Sequence, residues 1–424
     1  MSESEPSSAR ALAHGITRMI GRDPDEPHRA ATPLELLFDL TFVVAFGVAA
    51  EQLAHLLAEG HLASGLTGFG FAMFAVCWAW INFSWFASAY DTDDWPFRVA
   101  TMVQMVGVLI FTLGLPDVFA SIDQGQQVNN TVTVAGYVVM RIAMGFQWLR
   151  AATQNPARRS ACRTYLATIL VAQAGWVLLL FMNTSIPVWF LLAVPLILIE
   201  LAGPWIAETR KGGTPWHAHH LAERYGLLAI IALGEGVIGT VASLAAVVEH
   251  QGWSLDAVLV GVAGTGLTFG MWWTYFLLPS AGILRAHRER VFPWGYGHIL
   301  IFTAIAATGA GLHVAALYIE GQAHVSGVAA VLSVAVPVGG FVLMVYALHT
   351  WLVREADPFH LGLLAGTAAV LVAAVWLAAA GVPMTWCLLV VTLAPAVTVV
   401  GYEAVGHRHL AAILNRNLPR DEIG

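Results

Sequence analysis

The chain has 424 residues, of which 58% are hydrophobic and only 11% are charged, and its mean hydropathy is +0.70. Soluble globular domains carry roughly 25% charged residues, so this composition excludes a water-soluble enzyme, a disordered protein and a disulfide scaffold. The net charge of −7 excludes the basic surface that binding of nucleic acid requires. The class that remains is a helical membrane protein with many spans.

Long, continuous apolar runs predict transmembrane α-helices rather than the short alternating segments of a β-barrel. Twelve helices of about 20 residues each fit the length. The predicted fold class is therefore all-α, a polytopic helical membrane protein of about twelve transmembrane helices. We place the helices at residues 34–57, 64–89, 97–119, 132–152, 162–182, 187–208, 219–246, 254–279, 292–318, 326–352, 359–380 and 384–405.

Eighteen of the 20 Lys and Arg residues precede the first span, flank the links that follow the even-numbered spans, or lie in the C-terminal tail. The six alternate loops contain neither Lys nor Arg. By the positive-inside rule, this alternation predicts an even number of spans with both termini in the cytoplasm. We expect a multi-pass membrane protein. The polar residues 1–32 lack the apolar core of a cleavable signal peptide.

Three matched features favour an internal duplication over chance similarity between apolar segments. They recur at offsets of 188 to about 193 positions, and matching spans run in the same direction, so we predict a parallel six-plus-six repeat. The predicted organisation is a polar tail over 1–32, membrane halves over 33–208 and 209–405, and a tail over 406–424. The matches are Glu35 with Glu223, Trp78 and Trp80 with Trp272 and Trp273, and residues 109–112 with 300–303.

Several charged side chains fall inside predicted spans. Burial of a charge there costs at least about 2.5–3.5 kcal/mol of free energy unless the group is paired or hydrated. Glu35 and Asp39 are four residues apart and share a helical face. Arg224 and Glu235, eleven residues apart, also share a face. The full set is Glu35, Asp39, Arg141, Glu200, Glu223, Arg224 and Glu235.

Two interpretations of these charges stay open. In the structural one, Arg141 and Arg224 form buried ion pairs with the acids and fix the register of the helices. In the functional one, the acids line a cavity that binds a proton, a cation or a substrate amine. Five acids face two arginines, so they cannot all pair one-to-one, and this excess favours function.

The histidines are weaker candidates. His217, His219 and His220 lie where a loop enters the seventh span, and a solvated loop is favoured there over a metal site, with His220 on the face of Arg224. His298, His313 and His349 lie within predicted spans, where a hydrogen-bonded histidine is more typical than a haem ligand. No metal site and no cofactor are predicted. Since the sequence contains no nucleophile elbow, zinc-binding HExxH or P-loop motif, we do not expect an enzyme.

Two segments resemble a known family. The segment Pro33-Leu34-Glu35-Leu36-Leu37-Phe38-Asp39-Leu40-Thr41-Phe42 resembles the opening signature of the bacterial low temperature requirement protein A (LtrA) family. The segment from His220 to Glu235, which contains Glu223-Arg224-Tyr225-Gly226, resembles its second and more distinctive signature. The likeness covers roughly residues 31–405. It implies a bacterial inner-membrane protein from a family named for a growth requirement in the cold, and it supplies no catalytic residues.

The leading functional hypothesis is a secondary transporter or ion-permeable protein with a polar cavity between the first and seventh spans. Asp39 and Glu235 would bind protons or cations, and Arg141 or Arg224 would tune them or pair with an anionic group. The alternative is a structural or lipid-interacting protein that supports the membrane in the cold; a lipid-modifying intramembrane enzyme is a third. Expected partners are the lipid bilayer and protons, small cations or a small solute, and the oligomeric state stays open.

Overall fold

The computed structural model describes residues 15–26, 29–125 and 127–417. Over these ranges the chain is helical and contains no β-strand. Parts of the two predicted tails, residues 1–14 and 418–424, lie outside the described residues. They contain Arg10 and Arg420, two of the cations used to predict orientation.

Twelve helices within the described ranges are long and apolar enough to cross a membrane, which confirms the predicted fold class. Most of their ends lie within four residues of the predicted ones, because polar and glycine-containing links between apolar runs mark them clearly. The fifth span begins six residues earlier than predicted, and the eighth and twelfth end seven and ten residues later. In chain order the spans are Pro33–Ala58, Leu62–Tyr90, Trp95–Asp123, Thr131–Gln154, Pro156–Leu180, Ile186–Arg210, Ala218–Glu249, Leu255–Ala286, Arg288–Ile319, Gly327–Val353, Pro358–Ala379 and Met384–Asn415.

Several spans contain interruptions that hydropathy did not reveal. The seventh consists of two helices, Ala218–Ala232 and Gly234–Gln251, joined at Leu233, and this places Glu235 in the first turn of the second helix. Apolar residues and glycine continue through this junction and through the one at Gly114 in the third span, so periodicity gives no signal at either. The other divided spans are the third, Trp95–Leu113 and Leu115–Asp123; the fifth, Pro156–Arg158 and Arg159–Leu180; the eighth, Leu255–Phe276 and Ala281–Ala286; the ninth, Arg288–Arg290 and Val291–Ile319; and the twelfth, Met384–Gly401, Tyr402–Gly406 and His407–Asn417.

Local capping fixes where several spans begin. Asp94 precedes the third span and accepts a hydrogen bond from the Phe97 amide at 3.1 Å. Ser254 and Ser326 cap the eighth and tenth spans in the same way, and Asp357 caps the eleventh. Such side chains satisfy amides that the first helical turn leaves without intrahelical partners.

The described chain divides into two compact units. The first contains residues up to Thr41, Asn82–Gly114 and Gln127–His217, and the second contains Phe42–Ile81, Leu115–Gln126 and the residues from Ala218 onward. The first three spans therefore contribute segments to both units. The predicted sequence halves at 33–208 and 209–405, and the internal repeat, stay predictions.

Small residues and stacked aromatic rings hold the first unit together. A Cβ atom on Gly136 of the fourth span would lie only 2.6 Å from the carbonyl oxygen of Gly107 on the third span, so the two backbones are in direct contact. Nearby, the rings of Trp148 and Tyr165 stack with centroids 4.0 Å apart. Close approach through glycine is a common way for membrane helices to gain dispersion energy without a hydrophobic driving force.

In the second unit, the ninth span is the most buried of the twelve. A Cβ atom on Gly239 of the seventh span would lie 2.7 Å from the carbonyl oxygen of Gly309 on the ninth. Gly311, half a turn further, faces the backbone of Ser333 on the tenth span. Glycines on the ninth span thus bring the seventh and tenth spans into backbone contact with it.

Replacing Gly136 with alanine is expected to lower the thermal unfolding midpoint, because the new methyl group overlaps backbone atoms of the third span and overpacking costs typically 1–3 kcal/mol. Gly340→Ala in the tenth span is the matched control, since its Cβ would meet no atom within 4 Å. There, alanine is expected to leave stability unchanged or to raise it by roughly 0.5–1 kcal/mol. Thermal unfolding in detergent measures both, and equal midpoints for the two variants would contradict the contact.

Candidate functional site

Arg141 and Glu200, two of the predicted site residues, form a buried ion pair in the first unit. Arg141 Nη2 donates to Glu200 Oε2 at 3.0 Å, and both side chains are at most 7% exposed. The Tyr137 hydroxyl donates to the same oxygen at 3.2 Å, and Trp176 Nε1 donates to Glu200 Oε1 at 3.0 Å. Three donors from the fourth and fifth spans therefore satisfy a carboxylate on the sixth.

For Arg141 and Glu200, this geometry matches the structural interpretation, in which buried ion pairs fix the register of the helices. Both Glu200 oxygens carry hydrogen bonds, and the guanidinium also lies 4.6 Å from the centroid of the Tyr137 ring. A buried pair with additional donors fixes the register of the helices that carry it. The geometry gives Arg141 a partner other than Asp39 or Glu235, so it supports no tuning role for Arg141 at those acids.

Arg141→Met is expected to destabilise the protein by about 3–5 kcal/mol, because it leaves the Glu200 carboxylate buried without its cation. The double variant Arg141→Met/Glu200→Gln removes both charges and should recover much of that loss. Thermal unfolding in detergent of the two single variants and the double variant forms a double-mutant cycle. Strictly additive losses would show that the pair is not coupled.

Glu35 has a local structural role at the start of the first span. The Thr32 amide donates to Glu35 Oε2 at 2.7 Å, and the Glu35 amide donates to Thr32 Oγ1 at 3.3 Å. This reciprocal pattern is a capping box, with Thr32 and Glu35 at the required spacing. Glu35 and Asp39, one turn later, are both fully buried.

Asp91, in the link after the second span, is a second carboxyl close to Glu35. It is 5% exposed and accepts a hydrogen bond from the Asp93 amide at 2.8 Å. Burial, with the nearby Glu35 carboxyl acting in the same direction, raises the pKa of Asp91 to about 6. Asp94, in the same link, is also buried and pairs with Arg150. Two of the three acids in this link are therefore buried.

The raised pKa of Asp91 predicts that the folded state binds a proton more tightly than the unfolded chain. This contribution is fully present below the usual pKa of 3.8 and is lost as the pH rises through about 6. The thermal midpoint of the wild type should therefore fall more steeply between about pH 4 and about pH 7 than that of Asp91→Asn. Parallel profiles for the two proteins would contradict the assignment.

The second motif lies at the start of the seventh span. His220 and Arg224 are fully buried, and the Arg224 guanidinium lies 5.6 Å from the centroid of the Trp80 ring. The Tyr225 ring packs edge-on against the same indole at 4.9 Å. Glu223 has one buried carboxylate oxygen, Oε2, with no hydrogen-bond partner among the described residues. The conspicuous charged motif is therefore built into the packing of the second unit.

His298 is hydrogen-bonded on both ring nitrogens. Its Nδ1 lies 2.7 Å from the Trp294 carbonyl oxygen, and its Nε2 lies 3.0 Å from the Tyr275 hydroxyl. A carbonyl can only accept, so Nδ1 carries the proton and Nε2 accepts from Tyr275. This is the hydrogen-bonded histidine that the sequence favoured over a haem ligand. Within the described ranges, no group of three or more His, Cys, Asp or Glu side chains is arranged to hold a metal ion.

A cavity of about 220 Å³ lies beside His298. Tyr275, Trp294 and His349 contribute polar side chains to an otherwise largely apolar lining. The space is large enough for several water molecules or a small solute. Glu235 is not among its lining residues, so the cavity and the central acid of the seventh span are separate features of the second unit.

Glu235 lies at the midpoint of the seventh span, directly after the junction at Leu233. It is 6% exposed, and its carboxylate has no hydrogen bond or ion pair with any described residue. A Cβ atom on Gly47 of the first span would lie 3.0 Å from Glu235 Oε1, and one on Gly309 of the ninth would lie 2.8 Å from Glu235 Cβ. Glycines on two neighbouring spans therefore leave the space that this carboxyl occupies.

The structure distributes the predicted site residues between the two units. Glu35, Asp39, Arg141 and Glu200 belong to the first, and His220, Glu223, Arg224, Glu235 and His298 belong to the second. Their assignment to ion or substrate binding stays a prediction. Sequence reasoning missed Gly47 and Gly309, since a glycine in an apolar run reveals no partner. It also missed Glu51 and His55, because charged residues near the end of a predicted span are ordinary.

Twelve helices in the described ranges that are long and apolar enough to cross a membrane define a polytopic helical membrane protein. The chain belongs to the family of the bacterial low temperature requirement A protein (LtrA), whose family model matches residues 30–395. It is also similar to a protein of Rhizobium meliloti (strain 1021), named "Uncharacterized protein RA0937". The two are 24% identical over 320 residues, which cover 71% of this chain and 73% of the relative.

Proposed function

We propose that this LtrA-family protein is a secondary transporter or ion-permeable protein, and that Glu235 binds a proton or a small cation within the membrane. The observation that carries the proposal is the burial of this carboxyl, at the middle of its span, without a hydrogen-bonding partner among the described residues. A carboxylate in that position costs at least about 2.5 kcal/mol unless a proton, a cation or water compensates it.

The local backbone supports the same assignment. Transporter sites often lie near the bilayer midplane, where a span is divided into two helices. Glu235 lies in the first turn of the helix Gly234–Gln251, after a one-residue irregularity at Leu233, whose dihedral angles (φ −62°, ψ −15°) stay right-handed helical. Among the other predicted residues, Asp39 is retained as the second ion-binding acid because it is fully buried. Arg141 is assigned to structure, whereas Arg224 remains the cation proposed to tune the site.

The location of the protein is part of the proposal. Both termini are assigned to the cytoplasm on the basis of the alternation of Lys and Arg between loops. The protein is assigned to the bacterial inner membrane on the basis of its family. The proposed role is non-enzymatic, in keeping with a sequence that contains no nucleophile elbow, zinc-binding HExxH or P-loop motif. The lipid bilayer and a small ion or solute are its proposed partners.

Ion flux into liposomes tests the assignment of Glu235. The wild type, Glu235→Gln and Asp39→Asn are reconstituted with an internal pH dye and driven by a potassium diffusion potential, and sodium and potassium fluxes are followed in parallel. Glu235→Gln should reduce flux by about tenfold or more, since a barrier increase of about 1.4 kcal/mol already has that effect. Glu249→Gln, an exposed acid near the end of the same span, is the matched control and should retain wild-type flux.

Two outcomes would overturn the proposal. Equal flux in the wild type and Glu235→Gln would show that the carboxyl is not the ion site. Absence of flux above protein-free liposomes for protons, sodium and potassium would instead favour the structural or lipid-interacting alternative. Thermal unfolding of each variant in detergent separates loss of the site from loss of the fold.

A further inference from the structure

A row of ionisable side chains follows Gly47 along the first span. Glu51 and His55 come at intervals of four residues after Gly47, so they follow one side of the helix and drift by about 40° at each step. Glu59 comes four residues after His55, directly after the helix ends at Ala58. Each step advances about 6 Å along the helix axis. The row therefore begins beside Glu235, near the middle of the span, and ends where the span does, at Ala58.

The row has ionisable neighbours on and after the ninth span. His55 Nε2 lies 3.9 Å from Glu51 Oε1, and the rings of His55 and His313 have centroids 6.3 Å apart. Beyond the helix end, His324 Nδ1 lies 2.7 Å from Glu59 Oε2. The His324 amide also donates to the carbonyl oxygen of Ala58 at 2.7 Å, which joins the two chain segments at this end.

The inner end of the row is Glu235. Its carboxylate lies against Gly47, where the first span presents no side chain. The Glu51 carboxyl, one turn beyond Gly47, is close enough to act electrostatically on Glu235. From the ninth span, Gly309 presents only backbone to Glu235. The next ionisable group on that span is His313, and Glu320, directly after the end of the span, acts on it electrostatically.

The placement of Glu51 requires water. Its side chain and that of His55 are 58% and 57% exposed, and Glu51 lies seven residues, or about 10 Å, before the end of its span. Groups at the very end, such as Glu59 and His324, reach the interface directly. A glutamate side chain is too short to span about 10 Å. Lipid around Glu51 would therefore leave its charge in hydrocarbon, which is energetically unfavourable.

We infer that Glu51, His55, His313, Glu59 and His324 line a hydrated route for protons or small cations. It connects Glu235 with the aqueous phase on the side of the membrane where the link at residues 59–61 lies. The inference rests on the proposed role of Glu235 and adds the direction of access to it. Neighbouring acids and histidines within a few ångströms of one another are the groups that proton and ion pathways use in membrane proteins.

Chemical labelling tests the route without reference to flux. In a variant whose buried native cysteines Cys77, Cys162 and Cys387 are replaced by alanine, Glu51→Cys is exposed in proteoliposomes to a membrane-impermeant methanethiosulfonate. The matched control is Val241→Cys, because Val241 is 60% exposed and lies at a similar distance, eight residues, from the end of the seventh span. Reaction at Glu51→Cys should be about tenfold faster or more, which corresponds to about 1.4 kcal/mol.

A functional measurement completes the test. Glu51→Gln should lower the flux that Glu235 supports, whereas Glu249→Gln should not. Equal labelling of Glu51→Cys and Val241→Cys would overturn the route and leave the assignment of Glu235 to stand on its own flux result. Fast labelling with no flux in the wild type would overturn the assignment of Glu235 and, with it, the role of the row in conduction. Labelling after denaturation in detergent confirms that both cysteines are present and reactive.

Discussion

The constraint on which this structure depends is that lipid cannot solvate a charge, so the protein itself must satisfy each ionised group that a span carries. Glu200 meets this requirement with Arg141 and two neutral donors, and Glu35 meets it partly through a capping box. Glu235 does not meet it within the described residues. This contrast separates carboxyls that fix the fold from the one that the proposed function assigns to an ion.

Glycine packing creates the environment of Glu235. Close contact between the seventh and ninth spans depends on Gly239 and Gly309, and the carboxyl itself fills space that Gly47 leaves open. Glycine contributes dispersion energy by allowing backbones to approach, but it contributes no side-chain donor. The packing that stabilises these spans therefore also surrounds the central carboxyl with surfaces that cannot donate a hydrogen bond to it.

The candidate site shows how far residue patterns reach. The intramembrane acids and arginines were visible in the sequence, because charge is rare in a chain that is only 11% charged. Their pairing was not, since Arg141 and Glu200 are 59 residues apart and any of five acids matched the arginines equally well. Glu51 and His55 gave little signal because charged residues near the end of a predicted span are ordinary. Only their position beside Glu235 and His313 makes them notable.

The sequence by itself determined the membrane class, the twelve spans and nearly all their ends, because hydropathy and span length follow directly from the thickness of a bilayer. The two family-like motifs could also be recognised from residues alone. The tertiary structure decided which charges are compensated, where the seventh span is interrupted, and which side chains lie beside Glu235. These features depend on contacts between segments far apart in the chain, and hydropathy along one helix carries no information about what its neighbour presents to it.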